Sequence, residues 1–557
     1  MLTRSFLTPA ENSKVLAYTP MFHARLFEET ARYRETHFQA TKTTPSSSPD
    51  EPTTPEPFLD GNPAIDRPLF VQFCANDPAH LLGAARLAAP YCDAVDLNLG
   101  CPQGIARKGH YGAFLQEDQD LVYRLIHTLH RELGVPVTAK IRVLETREAT
   151  LAYARNVLAA GASILAVHGR RREQKGHLTG TADWAHVRYL REHLPPDTVL
   201  FANGNVLQRA DLDRCLAATG ADAVLSAEGN LSNPALFAEP PPPGQEGREY
   251  WRPPVRPRSG RDRGGWRVDA IFRRYLDILH RYALGREPPA RRPLFVVGDD
   301  EAWLREDPGR ADGSEEGPAR KKRKKEAGAD SGGAGKRGGG GGATAERTSS
   351  PNLVAVRPHL FHLLRHLVTK HTDVRDALAR CPAGDIAAIE RVLEMVERRV
   401  AEALVEYEKT GGANVEEPPE PELEAQQGVN GQENEEEEED GEIDTESSAA
   451  AVRACWRPWW IAQPIVRPLP KEALAKGSIQ LSKKELKKRQ QQEEEEQKQK
   501  QQEANAAAAA DPGVASANFE APEHGLTKHD GPDGVKEPLT VDAENKPAVP
   551  TDELVAG

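Results

Sequence analysis

DLNLGCPQGIARKGHYG, residues 96–112, is the stretch from which the rest of the chain is read. An apolar run ends at Gly100, one cysteine follows, and Pro102 leads into a basic loop spaced by Gly104, Gly109 and Gly112. A thiol kept only for packing sits among apolar neighbours, whereas Cys101 is held between a glycine and a proline at a strand-to-loop junction. Parallel barrels place their chemistry at such junctions. Cys101 is therefore the candidate reactive group, and the other five cysteines (74, 92, 215, 381 and 455) lack this setting.

The pattern extends in both directions. Short β-branched and apolar runs recur at 15–22, 69–75, 94–100, 135–143, 164–169, 199–203 and 223–227. Between them, segments such as 79–89, 119–133 and 211–218 carry apolar residues three to four apart. Strand alternating with helix predicts an α/β fold with a parallel sheet, and seven strands point to a (β/α)8 TIM barrel that is one βα unit short. A doubly wound sheet ranks second, because no GxGxxG follows the first run. MLTRSFLTPAENSK, residues 1–14, is too short and polar to supply a strand and a helix, so two unpaired edges and an open side are expected.

Length alone allows two or more domains, but 38% apolar content with 45 glycines and 44 prolines limits the packed part to roughly 300 residues. Composition divides the chain into a barrel at 1–240 with a low-complexity insert at 41–57, and a linker at 241–265. A small helical domain follows at 266–410, interrupted by a disordered insert at 286–350, and then an acidic, low-complexity tail at 411–557 that contains a distinct 455–470 segment. Trp266–Tyr282 predicts an amphipathic helix with Arg267, Arg274 and Arg281 seven apart on its other face. Helices at 359–370 and 386–408 follow, the first aligning His362, His366 and Lys370. A charged stripe is ordinarily a solvated face, but two basic stripes in one small domain are read here as a polyanion surface. The net charge of −13 does not oppose this, because the acid is concentrated in tails such as Glu435–Asp440.

The cysteines show no CxxC pair and no metal spacing, and no apolar segment has membrane length. The expectations are a reducing interior, cytoplasm and/or nucleus, no metal, no membrane and a monomer. RKKRKK at 320–325 resembles a nuclear localisation signal.

Individual residues extend the site. Lys140 and Arg142 alternate with Ile141, so both point to one face, and an inward lysine is costly to bury unless it meets an anion or a carbonyl. An ion pair with Asp96 is the alternative partner. Gln72 lies mid-strand in an apolar run and needs a hydrogen-bond partner, and His168 ends its strand in the same layer. Taken singly, each is more often a satisfied core polar group; together, at the ends of neighbouring strands, they read as one site. Asn203, Gly204 and Asn205, with Ala227 and Glu228, form the loops after the last two strands, where barrels bind a phosphate through backbone amides. Arg107, Lys108, His110 and Arg170 surround the cysteine loop with positive charge and favour a polyanionic substrate; Asn98 and Arg142 are further substrate-binding candidates.

AYTPMFHARLF (17–27), FVQFCANDP (70–78), DLNLGCPQGIARKGHYGAFLQ (96–116), AKIRV (139–143), VHGRRREQKG (167–176), FANGN (201–205) and SAEGNLSNPALF (226–237) together resemble the tRNA-dihydrouridine synthases. The resemblance is strongest to the eukaryotic branch acting on uridines 16 and 17 of the D loop. It covers about residues 15 to 240 and, more weakly, the helical domain and WWIAQPIVRPLP (459–470). It implies an FMN-dependent reductase driven by NADPH or NADH, with hydride delivered to C6 of a uracil and a proton to C5. Cys101 would be the proton donor, since a thiol near pKa ~8.5 is mostly protonated at neutral pH. The resemblance assigns Lys140, His168 and Gln72 to the flavin and the helical domain with the basic tails to tRNA. Many members carry Gly-Arg where this chain has Ala227-Glu228, so only backbone contacts to the phosphate are inferred there. Family barrels also open with a strand ending in Ala-Pro-Met, which this sequence does not show. A flavin-deficient, non-catalytic tRNA-binding protein and a flavin barrel reducing a small pyrimidine therefore stand as alternatives, and flavin content separates the first of these from the two enzymes.

Overall fold

The computed structural model describes residues 1–43, 55–254, 263–306, 350–413, 415 and 448–475. Its centre is a curled parallel sheet built from β1 (Ala17–Tyr18), β2 (Phe22–His23), β3 (Leu69–Cys74), β4 (Ala94–Leu99), β5 (Val137–Arg142), β6 (Ile164–His168), β7 (Val199–Asn203) and β8 (Ala223–Leu225). Both β1 and β2 pair with β3, so the expected run at 15–22 is one stave interrupted at Thr19–Met21. From β3 to β8 each strand pairs with the next. Among the described residues β1 and β8 remain the edges of this sheet.

Strand parity sorts the side chains. Val71, Phe73, Val95, Leu97, Leu99, Ala139, Ile141, Leu165 and Val167 are buried in the main apolar core with Leu81, Ala84, Ala85, Leu125, Leu129, Tyr153, Val157 and Leu190 of the surrounding helices. Those helices start on local signals. Asp77 accepts from the Ala79 and His80 N–H groups ahead of Pro78–Ala88, Asp118 caps Gln119–Glu132, Thr146 caps Arg147–Ala159, and Asp183 caps Trp184–His193. The other parity carries the polar residues. Register aligns Gln72 with Asp96 and Thr138, then Asn98 with Lys140 and Ala166, then Arg142 with His168 and Asn203. Three polar layers thus climb toward the carboxyl ends of the strands.

Residues 1–14 form neither strand nor long helix, only a 3₁₀ turn at Thr3–Phe6 and a short helix at Pro9–Asn12. Arg4 donates to the carbonyls of Val15 and Pro68, beside the two staves at one edge, while Thr3 hydrogen-bonds Asn230, just past the other edge. The segment stitches the two edge regions together without supplying a strand.

The helical part is built on Val268–Ile278, extended by a π turn at Leu279–Ala283, and on Ile386–Thr410. The helix expected at 359–370 is split at Leu364 into Val356–Leu363 and Arg365–Lys370, and Thr372–Arg380 follows as a further helix. Ile271, Phe272, Leu276, Leu364, Val396 and Val400 share one core with Trp460 and Ile461 of the 455–470 segment.

Three expectations need correction. The linker at 241–265 contains Tyr250–Trp251, which pairs antiparallel with Gly265–Trp266. In the insert at 286–350, residues 286–306 are packed: Phe295 is buried, and Arg291 bridges Asp277 and Glu390. Apolar and arginine side chains inside a Gly- and Pro-rich stretch were enough to dock it. Much of the two basic stripes is engaged within the fold, although Arg281 and Lys370 stay exposed. Arg267 is buried and paired with Asp269, Arg274 pairs with Glu249 and stacks over Phe6, and Arg281 pairs with Glu287. His366 faces the Pro464 carbonyl, and Lys370 lies over the Trp459 ring. Periodicity placed these cations on one face but could not show which acids and aromatic rings they meet. At 41–57, Thr41–Thr43 pairs with Pro55–Pro57. Residues 44–54, the basic run 320–325, and most of the tail lie outside the described residues.

Candidate active site

Cys101 sits two residues past β4 and is 4% exposed. Its position is set by backbone, not by apolar packing alone. The Asn98 side-chain oxygen accepts from the N–H groups of Gly100 (3.1 Å) and Cys101 (2.9 Å), folding the strand end into a tight turn. The Cys101 carbonyl accepts from Ala113 N–H at 3.1 Å, so the loop carrying the helix Gly104–Gly109 closes on itself. Gly112 permits this closure: its φ is +61°, and a Cβ there would lie 2.8 Å from the Cys101 carbonyl oxygen. Arg142 clamps the loop from the next strand, with Nε donating to the Gly100 carbonyl at 2.7 Å and Nη1 to the Arg171 carbonyl at 3.1 Å.

Beneath the cysteine runs a buried chain of amides. Asn98 Nδ2 donates to Gln72 Oε1 (2.7 Å), Gln72 Nε2 donates to Asp96 (2.8 Å), and Thr138 Oγ1 donates to the other Asp96 oxygen (2.6 Å). Burial pushes the Asp96 carboxyl up to about 6, against the pull of the Thr138 and Gln72 hydrogen bonds and of Lys140. Gln72, Asn98 and Arg142 are therefore engaged in holding the cysteine turn. Asp96, read from the sequence as an alternative partner for Lys140, instead meets Gln72 and Thr138, and Thr138 itself carried no sequence signal.

Lys140 behaves differently. It stands one layer above Asp96, beside Asn98 in the register, and has no hydrogen bond or ion pair with any described residue, Asp96 included. Burial and then Arg142 lower its ammonium to about 8, with Asp96 and Cys101 opposing. His168 is held well below its usual range by burial first, then by Lys140, Arg142 and Arg170. Arg170 Nη1 lies 3.2 Å from His168 Nε2, and a guanidinium can only donate, so the ring is neutral with its proton on Nδ1. For Cys101, burial raises the thiol above its ordinary value, opposed by the Gln103 backbone and the cations Arg142, Lys140 and Lys175. The site therefore contains a protonated thiol, a neutral imidazole and an unpartnered ammonium.

Past β7, Gly204 has φ +110° and Asn205 φ +58°, turning the chain sharply beneath His168. A Cβ on Gly204 would come within 2.6 Å of Ala182 Cβ and 3.1 Å of the His168 ring, so only glycine fits. Asn203 donates to the Leu225 carbonyl, and Asn205 accepts from Arg170 and from Ala182 N–H. Ala227 precedes the short helix Glu228–Ser232. Arg107, Lys108 and His110 are exposed; Arg107 and His110 line an open basin of about 500 Å³ with Phe114, Glu117, Arg172, Glu173 and Lys175. Lys175 ties this basin to the cysteine loop through the Pro102 carbonyl (2.7 Å). A cavity of about 710 Å³ at Ser163 and Val199 opens at the amino ends of the strands, away from Cys101. The sequence also passed over Cys74, which shares a cluster with Cys101, Ala106 and Tyr111 and whose thiol burial pushes up to about 12.

A curled parallel sheet with a buried thiol in a glycine-spaced loop, a lysine without a partner among the described residues and a neutral histidine at its carboxyl face defines an α/β barrel enzyme. Comparison with known proteins places it further. Residues 3–254 match the family model "Dihydrouridine synthase (Dus)". The chain is 36% identical over 455 residues to the tRNA-dihydrouridine(16/17) synthase [NAD(P)(+)] of Schizosaccharomyces pombe, covering 82% of each protein. To the Saccharomyces cerevisiae protein of the same name it is 51% identical over 264 residues, 47% of this chain and 54% of that one. The similarly named "-like" protein of Mus musculus is 49% identical over 222 residues, 40% of this chain and 42% of the relative. The chain belongs to the dihydrouridine synthase family.

Proposed function

We propose that this protein reduces the C5–C6 bond of D-loop uridines 16 and 17 in tRNA, using FMN and NADPH or NADH. Lys140 is the observation that carries this reading. An inward ammonium with no protein partner, in the layer below a neutral histidine and beside a fixed thiol, suits an anionic or carbonyl-bearing ring better than it suits a core. The donor set fits a flavin: Lys140 and the His168 Nδ1–H toward the ring, and the backbone of Asn203–Gly204–Asn205 and Ala227–Glu228 toward its phosphate. FMN, once bound and reduced, would supply the hydride for C6. Cys101 then delivers a proton to C5, and burial keeps that proton on sulfur at neutral pH. Asn98 and Arg142 position the thiol through the Gly100–Cys101 peptide, one on its N–H and the other on its carbonyl. The cytoplasm and/or nucleus is the location proposed, in keeping with six free thiols.

Lys140→Met tests the cofactor role. It should weaken FMN binding about 10- to 100-fold, the range expected for one charge-assisted hydrogen bond, seen as loss of yellow absorbance on purification. The pH dependence has a definite sign. Because the ammonium is held at about 8, wild-type affinity should fall as pH rises through about 8, and the variant's should not. A variant that keeps a full flavin complement with the same pH profile would place the flavin elsewhere.

The tRNA face follows from the same geometry. Arg107 and Lys175 at the basin, with exposed Lys108 beside them, form the basic rim nearest the thiol. Reversing Arg107 and Lys108 to glutamate should weaken tRNA binding and lower its salt dependence by about one unit of slope per lost phosphate contact, with flavin content unchanged. Salt-independent binding by wild type would favour a small-pyrimidine reductase.

A further inference from the structure

Glu228 opens the loop past the last strand, where the reading above puts the flavin phosphate, and a carboxylate repels a phosphate. The helix it begins ends at Ser232, too short for its dipole to offset that charge. A cation is needed there, and Arg170 is already committed. Its Nε and Nη2 donate to the Gly180 carbonyl (3.1 and 3.0 Å), Nη2 also to Asn205 (2.7 Å), and Nη1 to His168.

A second guanidinium arrives from far along the chain. After Trp460 and Ile461 anchor in the helical core, the chain leaves that core and brings Arg467 Nη2 onto Glu228 Oε1, with 48% and 51% of the two side chains exposed. Pro470 Cδ comes within 3.8 Å of where a Cβ on Gly180 would stand, so residues 467–470 span both loops at the mouth. Arg467 has no other hydrogen bond to a described residue, which leaves most of its donors available. An ion pair this exposed is worth little by itself and is easily exchanged, whereas a guanidinium on a phosphate binds through two parallel N–H donors.

We infer that Arg467 is the phosphate-binding guanidinium of the cofactor site and that Glu228 holds it in place until a phosphomonoester arrives. The inference rests on the flavin reading. It assigns a ligand role to the segment around residue 467, which follows the Trp460–Ile461 anchor in the helical core.

The test uses the full chain freed of flavin, titrated with FMN and with riboflavin, which lacks the phosphate, and read by quenching of flavin fluorescence. Wild type should prefer FMN. Arg467→Ala should lose about 10- to 100-fold of FMN affinity while keeping that for riboflavin, which also verifies that the variant is folded. Glu228→Gln, which removes the competing carboxylate and keeps the guanidinium, should retain or increase the preference. An unchanged FMN-to-riboflavin ratio in Arg467→Ala, or an equal fall for both flavins, overturns the assignment and leaves Arg467 as a structural clip. A loss confined to tRNA affinity overturns it too, because the phosphate recognised would then belong to the RNA. Equal wild-type affinity for both flavins removes the phosphate subsite but keeps the flavin reading; no affinity for either removes both.

Discussion

Cys101→Ala should bind flavin as wild type does and lose 10²- to 10⁴-fold of dihydrouridine formation, the usual cost of deleting a positioned general acid. The separation of the two effects follows from the geometry. The turn that holds residue 101 is made by its own N–H on Asn98 and its carbonyl on Ala113, and alanine preserves both. Lys140, His168 and the Gly204 turn lie on other strands and stay in place. Only the proton is removed. Because burial raises the thiol above its ordinary value, wild-type activity should persist up to the thiol's titration on the alkaline side, above the usual cysteine range. Chemical quantification of dihydrouridine in D-loop tRNA, alongside the flavin spectrum, checks both halves. Full turnover by the variant would remove Cys101 from the reaction.

Arg267→Ala should destabilise the helical part by about 3–5 kcal/mol, since it leaves Asp269 as a buried charge without its partner. Asp269 is fully buried, and Arg267 joins it through Nε (3.0 Å) and Nη2 (2.6 Å) while Nη1 donates to the Phe295 carbonyl (2.6 Å). One guanidinium thus fastens the start of Val268–Ile278 to the docked stretch at 286–306. Denaturant unfolding followed by tryptophan fluorescence reports the loss, since Trp266 and Trp460 flank this joint. Replacing both partners, Arg267→Met with Asp269→Leu, should recover much of it, because burying neither charge costs less than burying one. A single variant as stable as wild type would return Arg267 to the solvated stripe that its seven-residue spacing suggested.

These two residues mark what a local pattern points to and what it leaves out. Cys101 was legible because its setting is local: an apolar run, a glycine, a proline and a glycine-spaced loop are contiguous, and strand parity then put Lys140, Arg142 and His168 on one face. Arg267 was misread because periodicity assigns a side chain to a face and says nothing of what covers that face. Gln72 was read correctly as needing a partner, yet the partners, Asp96 and Asn98, come from another strand.

From the sequence alone came the order of strands and helices, the inward column of polar residues, the candidate thiol and the family. All of these depend on residues within a few positions of one another, where φ/ψ preference and periodicity act directly. Tertiary structure decided the rest: the use of residues 1–14 to stitch two sheet edges, the acids that meet Arg267 and Arg274, and the arrival of Arg467 at Glu228 from 239 residues away. Such pairings depend on which surfaces the folded chain brings together, and no local pattern encodes that choice.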